Sequence, residues 1–308
     1  MDVTVVFSQM IVLFIIMLIG YFAYKKNIIN DEASKAFSSL IVNITNPAFI
    51  ISGVLGDTQI GDTKQVITVA IVATLMHLGL MVVGFIVTIL MRIKKSENGL
   101  YNAMFVFSNI GFMGFPIISS IFGKEVLLYG AIFVIPFNVL VYTYGIYLLT
   151  KDKEGSKGSF SIKRIFNVGV IACIVAIIIF AFKIKLPSFI VKTVDMVGNV
   201  TTPLSMMVIG VSLAKMNLKD LISDKSLYIF SIIKLLIIPI ISAFIIKNFI
   251  TDEIIYATTV LLLSTPVASM SVMLANEFDG NVELASRGVL VSTILSVITI
   301  PLVVLVVF

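Results

Sequence analysis

Charge is what this sequence has least of. Only 13% of its 308 residues are Asp, Glu, Lys or Arg, while 59% are hydrophobic. A soluble domain carries about 25% charged residues, so this chain cannot cover a globular surface in water. The same composition excludes disorder, which needs low hydrophobicity and high charge. Tryptophan is absent, and there is one cysteine, Cys173, and one histidine, His77. A lone cysteine excludes an internal disulfide, and one Cys with one His argues against a zinc-type cluster, so no metal or cofactor is expected. The net charge of +5 would elsewhere suggest nucleic acid. Here the basic residues are scattered among short loops, so they read as topology signals and nucleic acid is not an expected partner.

Apolar length is what the chain has in place of charge. A helix crosses a ~30 Å hydrocarbon core with about 20 residues. Runs of that kind fall near 3–24, 35–55, 65–91, 99–122, 125–150, 165–183, 190–215, 226–249, 253–277 and 283–307. They predict an all-α integral membrane protein with ten transmembrane helices in a lipid bilayer. The chain begins Met1-Asp2-Val3 and meets Lys25-Lys26 only after its first apolar run, the reverse of a signal peptide's charge order. With spans alternating, fifteen of the 22 basic residues share the side of Lys25 and of the 151–164 loop, and six lie opposite. The positive-inside rule then puts that loop in the cytoplasm, at the cell membrane, with both termini outside.

Halving the chain exposes a repeat. Asn43-Ile44-Thr45-Asn46-Pro47 in the second run matches Asn199-Val200-Thr201-Thr202-Pro203 in the seventh, and at the same offset Ser108-Asn109-Ile110 meets Ser264-Thr265-Pro266. Two motifs in one register predict a five-helix unit at 1–150, a cytoplasmic linker at 151–164 and a second unit at 165–308. An odd helix count inverts the second copy, the architecture of secondary transporters. Chance recurrence in a biased composition is the competing reading.

The fourth and ninth runs are poor helices. Asn109, Gly111, Gly114 and Pro116 fall within a few residues in one, and Thr265, Pro266, Ser269 and Ser271 in the other. Breaks at bilayer depth survive where the freed backbone lines a cavity or meets a partner. Paired interrupted helices in two repeats point to a binding site, whose half-helix N-termini attract anions. A pair of simple proline kinks at Pro116 and Pro266 that only assist packing is the alternative. Asn43 and Asn46 share a helix face, as do Asn199 and Thr202, and these faces either line a cavity or bond neighbouring helices. Lys234 is the one basic residue deep in a run. It either meets a substrate carboxylate, pairs with a carbonyl or acidic side chain, or snorkels to the interface. His77 reads as a satisfied structural histidine, and Asp195 and Arg287 as interfacial.

Enzyme signatures are missing: there is no HExxH, GxSxG or P-loop, and no close carboxylate pair inside a span. No loop is long enough for a nucleotide-driven domain. The chain is therefore expected not to be an enzyme, and any energy coupling must come from an ion or the substrate gradient.

The ten-run layout, Asn109–Pro116 (NIGFMGFP), Ala275-Asn276-Glu277-Phe278, Lys234 with Pro239, and Ser292–Pro301 (STILSVITIP) resemble the auxin efflux carrier family. That family includes bacterial malate or malonate permeases and plant auxin carriers. The resemblance implies two inverted five-helix repeats, similar to bile acid symporters, whose fourth and ninth helices unwind and cross at mid-membrane. Substrate would sit beside that crossover, at Asn109, Pro116 and Pro266–Ser271. Plant members typically have proline where Ser271 stands and a much longer central loop, so the chain looks like the shorter bacterial members.

The leading expectation is a carrier or uniporter for a small organic anion, such as malate, another carboxylate or an auxin-like acid. Its expected binding set is Asn43, Asn46, Asn109, Asn199, Thr202, Lys234, Thr265, Ser269 and Ser271. Gly111, Gly114, Pro47, Pro116, Pro203 and Pro266 are expected at its hinges. Ser269, Ser271 and Thr265 could serve an ion, but no carboxylate lies at the break, so proton coupling through the substrate or plain uniport is favoured. A non-transporting sensor on a transporter scaffold is the alternative, and a channel is disfavoured because no charged ring or filter loop is visible. A homodimer is possible, though no small-residue stripe commits a face to it.

Overall fold

The computed structural model describes residues 3–55, 62–150, 166–215 and 225–308. The 151–164 linker lies outside the described residues. Everything regular in them is helical, and the only strand-like feature is one antiparallel bridge, Ser108 with Val267. Six helices among the described residues are long and apolar enough to cross a membrane, and three shorter apolar ones accompany them.

In chain order α1 is Val3–Lys25, and α2 (Asp31–Leu40) runs through a widened π-turn into α3 (Asn46–Ser52). Next comes α4, Thr63–Leu90. The fourth run divides into α5 (Lys95–Val106) and α6 (Phe115–Phe122), with α6 entered through a π-turn at Ile110–Gly114. After it, α7 (Leu127–Leu140) and α8 (Ile146–Thr150) form one long rod. The described part then resumes with α9 (Val168–Phe182), α10 (Ser188–Asn199) and α11 (Thr201–Ala214). The eighth run is α12 (Lys225–Ile232), a π-turn and α13 (Ile238–Ile246). The ninth divides into α14 (Glu253–Leu263) and α15 (Met270–Glu277), and α16 (Val282–Val307) closes the chain.

Local chemistry fixes where these helices start. Asp62 and Gln65 make a reciprocal capping box on α4, and Asn30, Asn167, Asp252 and Asn281 accept from first-turn amides of α2, α9, α14 and α16. Each such cap satisfies amides that a helix start leaves without partners. The helix walls are apolar on more than their packed face. On α4, Ile67, Ile71, Leu75, Val82, Phe85 and Ile89 are all more than half exposed. A continuous stripe of that kind would aggregate in water and is matched by lipid tails. The protein is a multi-pass membrane protein.

Two glycines let α1 and α11 meet backbone to backbone. A Cβ at Gly20 would collide with the Met207 backbone, and one at Gly210 with the carbonyl of Met17. The repeated motifs also come together. The Gly198 end of α10 lies against Phe49 and Ala48, just past the Asn43–Pro47 copy, and the Ser108–Ile110 copy bonds directly to Pro266.

Gly210→Val is expected to destabilise the fold by about 1–3 kcal/mol through overpacking, read as a lower Tm of the detergent-solubilised protein. Gly79→Ala, mid-helix at a site with open space around the new methyl, is expected not to lower Tm and to raise it slightly, because alanine is the better helix former.

Candidate functional site

The bridge between Ser108 and Val267 lies where both broken runs leave the helix. α5 ends at Val106 and α14 at Leu263, so backbone groups are freed inside an apolar protein, where an unpaired one is costly. Each of the main ones finds a partner. The Asn109 amide would have closed the next turn on the Phe105 carbonyl, but it donates to the Pro266 carbonyl at 2.7 Å. The Ala268 amide donates to the Phe107 carbonyl at 2.9 Å. The Val267 amide donates to Ser292 Oγ of α16 at 3.0 Å.

That exchange strips the Phe105 carbonyl of its helical donor, and Lys234 replaces it. Lys234 Nζ donates to the Phe105 carbonyl at 2.7 Å and to Ser108 Oγ at 2.8 Å, and lies over the Phe105 ring. The side chain is 2% exposed. Of the readings its sequence position allows, it pairs with a carbonyl rather than snorkelling. A cation at the C-terminal end of α5 also meets the negative end of that helix.

Three of the prolines follow widened turns, whereas Pro136 and Pro301 stand inside helices without one and a fourth π-turn, Val141–Gly145, precedes no proline. Pro47, Pro116 and Pro239 each stand two residues beyond a π-turn, at Ile41–Thr45, Ile110–Gly114 and Ile233–Ile237. A proline ring lacks an N–H and collides with the carbonyl four residues back. The extra residue in a π-turn shifts that carbonyl aside. Pro203 needs no such device, because it lies in the first turn of α11, where its missing N–H has no helical acceptor to serve.

Asn109 caps the π-turn leading into α6, its Oδ1 accepting from the Phe112 amide at 3.2 Å. Beside it lies a cavity of about 640 Å³ between α2, α11, α15 and α16. Asn43, Asn109 and Ser269 of the expected set line it. The remaining members lie elsewhere. Lys234 and Thr265 are buried in the break, Thr265 bonding the Leu262 carbonyl. Asn46 Oδ1 and Ser271 Oγ are buried without a hydrogen-bond partner among the described residues, and Asn46 faces Gly111. Thr202 is half-buried and Asn199 exposed. Asn199 bonds Asp195, which pairs with Lys124. Gly114 is buried beside Leu262 and Thr265, where a Cβ would not fit. His77 is a structural histidine, its Nδ1 on the Ala73 carbonyl at 2.7 Å.

The cavity also takes side chains that sequence reasoning passed over: Ser38, Ser39, Ser212, Ser286, Thr293 and Lys215. Lys215 is one of the fifteen basic residues on the side of Lys25, so by sequence it reads as a topology signal. Its spacing of three from Ser212, which puts both on one helix face, was the available signal. Lys215 Nζ pairs with Asp31 Oδ1 at 2.7 Å. Hydrogen bonding and charge from Lys215 hold the Asp31 carboxyl below the usual carboxylate range.

An apolar helical bundle with a paired backbone break and a cavity beside it fits a protein of membrane transport, and comparison with known proteins agrees. The family described as membrane transport protein matches residues 5–304. The chain belongs to that family. It is 26% identical over 293 residues to an uncharacterized transporter of Methanothermobacter thermautotrophicus, covering 94% of each chain. It is 24% identical over 303 residues to an uncharacterized transporter of Methanocaldococcus jannaschii, covering 95% of this chain and 96% of the other. The buried lysine and the paired break therefore belong to a transporter.

In this membrane transport protein, Lys234→Met is expected to leave the Phe105 carbonyl unsatisfied and destabilise by about 1–3 kcal/mol. Lys234→Gln, which keeps an N–H donor, should recover part of the loss, both read as Tm in detergent.

Proposed function

We propose that this protein is a secondary carrier for a small organic anion, such as malate, another carboxylate or an auxin-like acid. It works by alternating access about the paired break at 107–109 and 264–269. Ten membrane crossings in two inverted five-helix units, 1–150 and 165–308, complete the reading, with both termini outside the cell membrane. The contact between the two copies of each repeated motif supports it.

One observation carries the substrate class: the 640 Å³ cavity opens against Asn109 at the start of a new helical segment. Amides at a helix start and the positive end of its dipole favour a negative group. The polar lining from Asn43 and Ser269 supplies orientation, and the apolar remainder tolerates a hydrocarbon body. Direct binding roles for Asn46, Asn199, Thr202, Lys234, Thr265 and Ser271 are weaker, because those side chains lie outside the lining. They serve the fold of the break and its flanks. Gly111, Gly114, Pro47, Pro116, Pro203 and Pro266 shape the segments that move or hold still.

Uptake of radiolabelled malate, malonate and indole-3-acetate into proteoliposomes tests the proposal, with sodium and pH gradients varied separately. Saturable uptake of at least one acid is expected. Asn109→Ala should lower Vmax/KM by about tenfold or more, the loss of one hydrogen bond to a charged group. Wild-type rate and affinity in that variant would move the site elsewhere.

A further inference from the structure

The cavity holds one more group whose chemistry is specific. Among the described residues that line it, Lys215 is the only charged one. It follows the last turn of α11, and its amide still bonds the Val211 carbonyl. A lysine there is ordinary as a helix-end charge, but its surroundings are not. Its ammonium bonds Asp31 Oδ1 at the start of α2 and lies 5.4 Å from the centre of the Tyr24 ring. Tyr24 donates its hydroxyl to the same Asp31 oxygen at 3.2 Å.

Asp31 and Ser38 are seven apart, so they share one face of α2. Asp31 holds Lys215 at one end of that face, while Ser38 and Ser39 line the cavity at the other. Ser212 lines it from Lys215's own helix. A cation on the lining of a cavity that carries no other charged side chain among the described residues is a site for an oxyanion. The carboxylate already on it, on the chain itself, is chemically what an organic acid would present. Both partners keep substantial exposure, 34% for Lys215 and 64% for Asp31, and exposed pairs of this kind contribute little to stability. An entering anion can therefore displace Asp31 without unfolding anything.

We propose that Lys215 is a specificity-determining residue that takes the carboxylate of an entering organic acid, and that Asp31 is its built-in competitor. This rests on the cavity being the substrate site. Asp31 keeps the ammonium positioned and neutralised while the cavity is empty, and releases it when a carboxylate arrives. Tyr24 then keeps a hydroxyl on the displaced aspartate, so no bare carboxylate is left at the rim.

Two measurements on the reconstituted full-length chain test it. In the uptake assay, Lys215→Gln is expected to raise KM about tenfold for whichever of malate, malonate or indole-3-acetate is transported, the loss of one charge-assisted bond. Asp31→Asn should lower KM about threefold, as removing an exposed ion pair would. Misfolding cannot produce that gain in affinity. The second measurement needs no substrate. Ser212→Cys puts a thiol in the cavity, while the native Cys173 is buried. Its labelling by anionic sulfonatoethyl methanethiosulfonate, relative to neutral methyl methanethiosulfonate, should fall with Lys215→Gln and rise with Asp31→Asn. Unchanged KM and an unchanged labelling ratio in Lys215→Gln would overturn the inference and leave the carrier reading intact. A labelling ratio that responds as expected, in a protein that takes up none of the three acids, would support the anion site and sink the organic-acid reading of the substrate.

Discussion

A polypeptide that leaves its helix inside an apolar medium must find a new partner for every backbone group it frees. That constraint governs this molecule. Two runs abandon the helix at 107–109 and 264–269, and each becomes the other's partner through Asn109 to Pro266 and Ala268 to Phe107. Two exchanged bonds leave one group short on each side, and distant helices make both good. Lys234 reaches in from the α12–α13 run for the Phe105 carbonyl, and Ser292 from α16 for the Val267 amide. The break is thus held by four elements at once, and none of the four can shift without disturbing the others.

Other irregularities serve the same end. Three π-turns precede Pro47, Pro116 and Pro239, letting proline stand inside long apolar helices. One of them, following Asn109, re-starts the helix beside the cavity. The buried break and the open cavity therefore share a residue, with Asn109 bonding the opposite strand of the break through its amide and facing the cavity lining. Close packing elsewhere, as at Gly20 and Gly210, keeps the surrounding helices a firm frame for that junction.

Lys234 and Lys215 divide the electrostatic work. The buried lysine is committed to protein oxygens, which stabilises an ammonium that lipid would not. The half-exposed one pairs with an aspartate that an incoming anion can replace. Burial decides which can exchange partners: a buried ion that loses its partner is strongly destabilised, while an exposed one is rehydrated.

The sequence by itself determined the medium, the helical class and the places where helices fail. Composition sufficed for the first, apolar run length for the second, and Asn109, Gly111, Gly114, Pro116 and Pro266 for the third, because these are local properties of the chain. It also marked Lys234 as unusual and left its partner open among a substrate, a carbonyl and an acidic residue. Only the tertiary structure chose the Phe105 carbonyl, since that acceptor lies 129 positions away and is vacant only because Asn109 bonds Pro266. The same distance hid the cavity's lining. Asn43, Asn109 and Ser269 were legible as polar residues in apolar runs, whereas Lys215 sat among other loop lysines and Ser292 among other helix serines. Nothing local separates a lysine that marks a membrane face from one that meets Asp31. That distinction arises when α2 packs beside α11, and packing between remote helices is what a linear pattern does not contain.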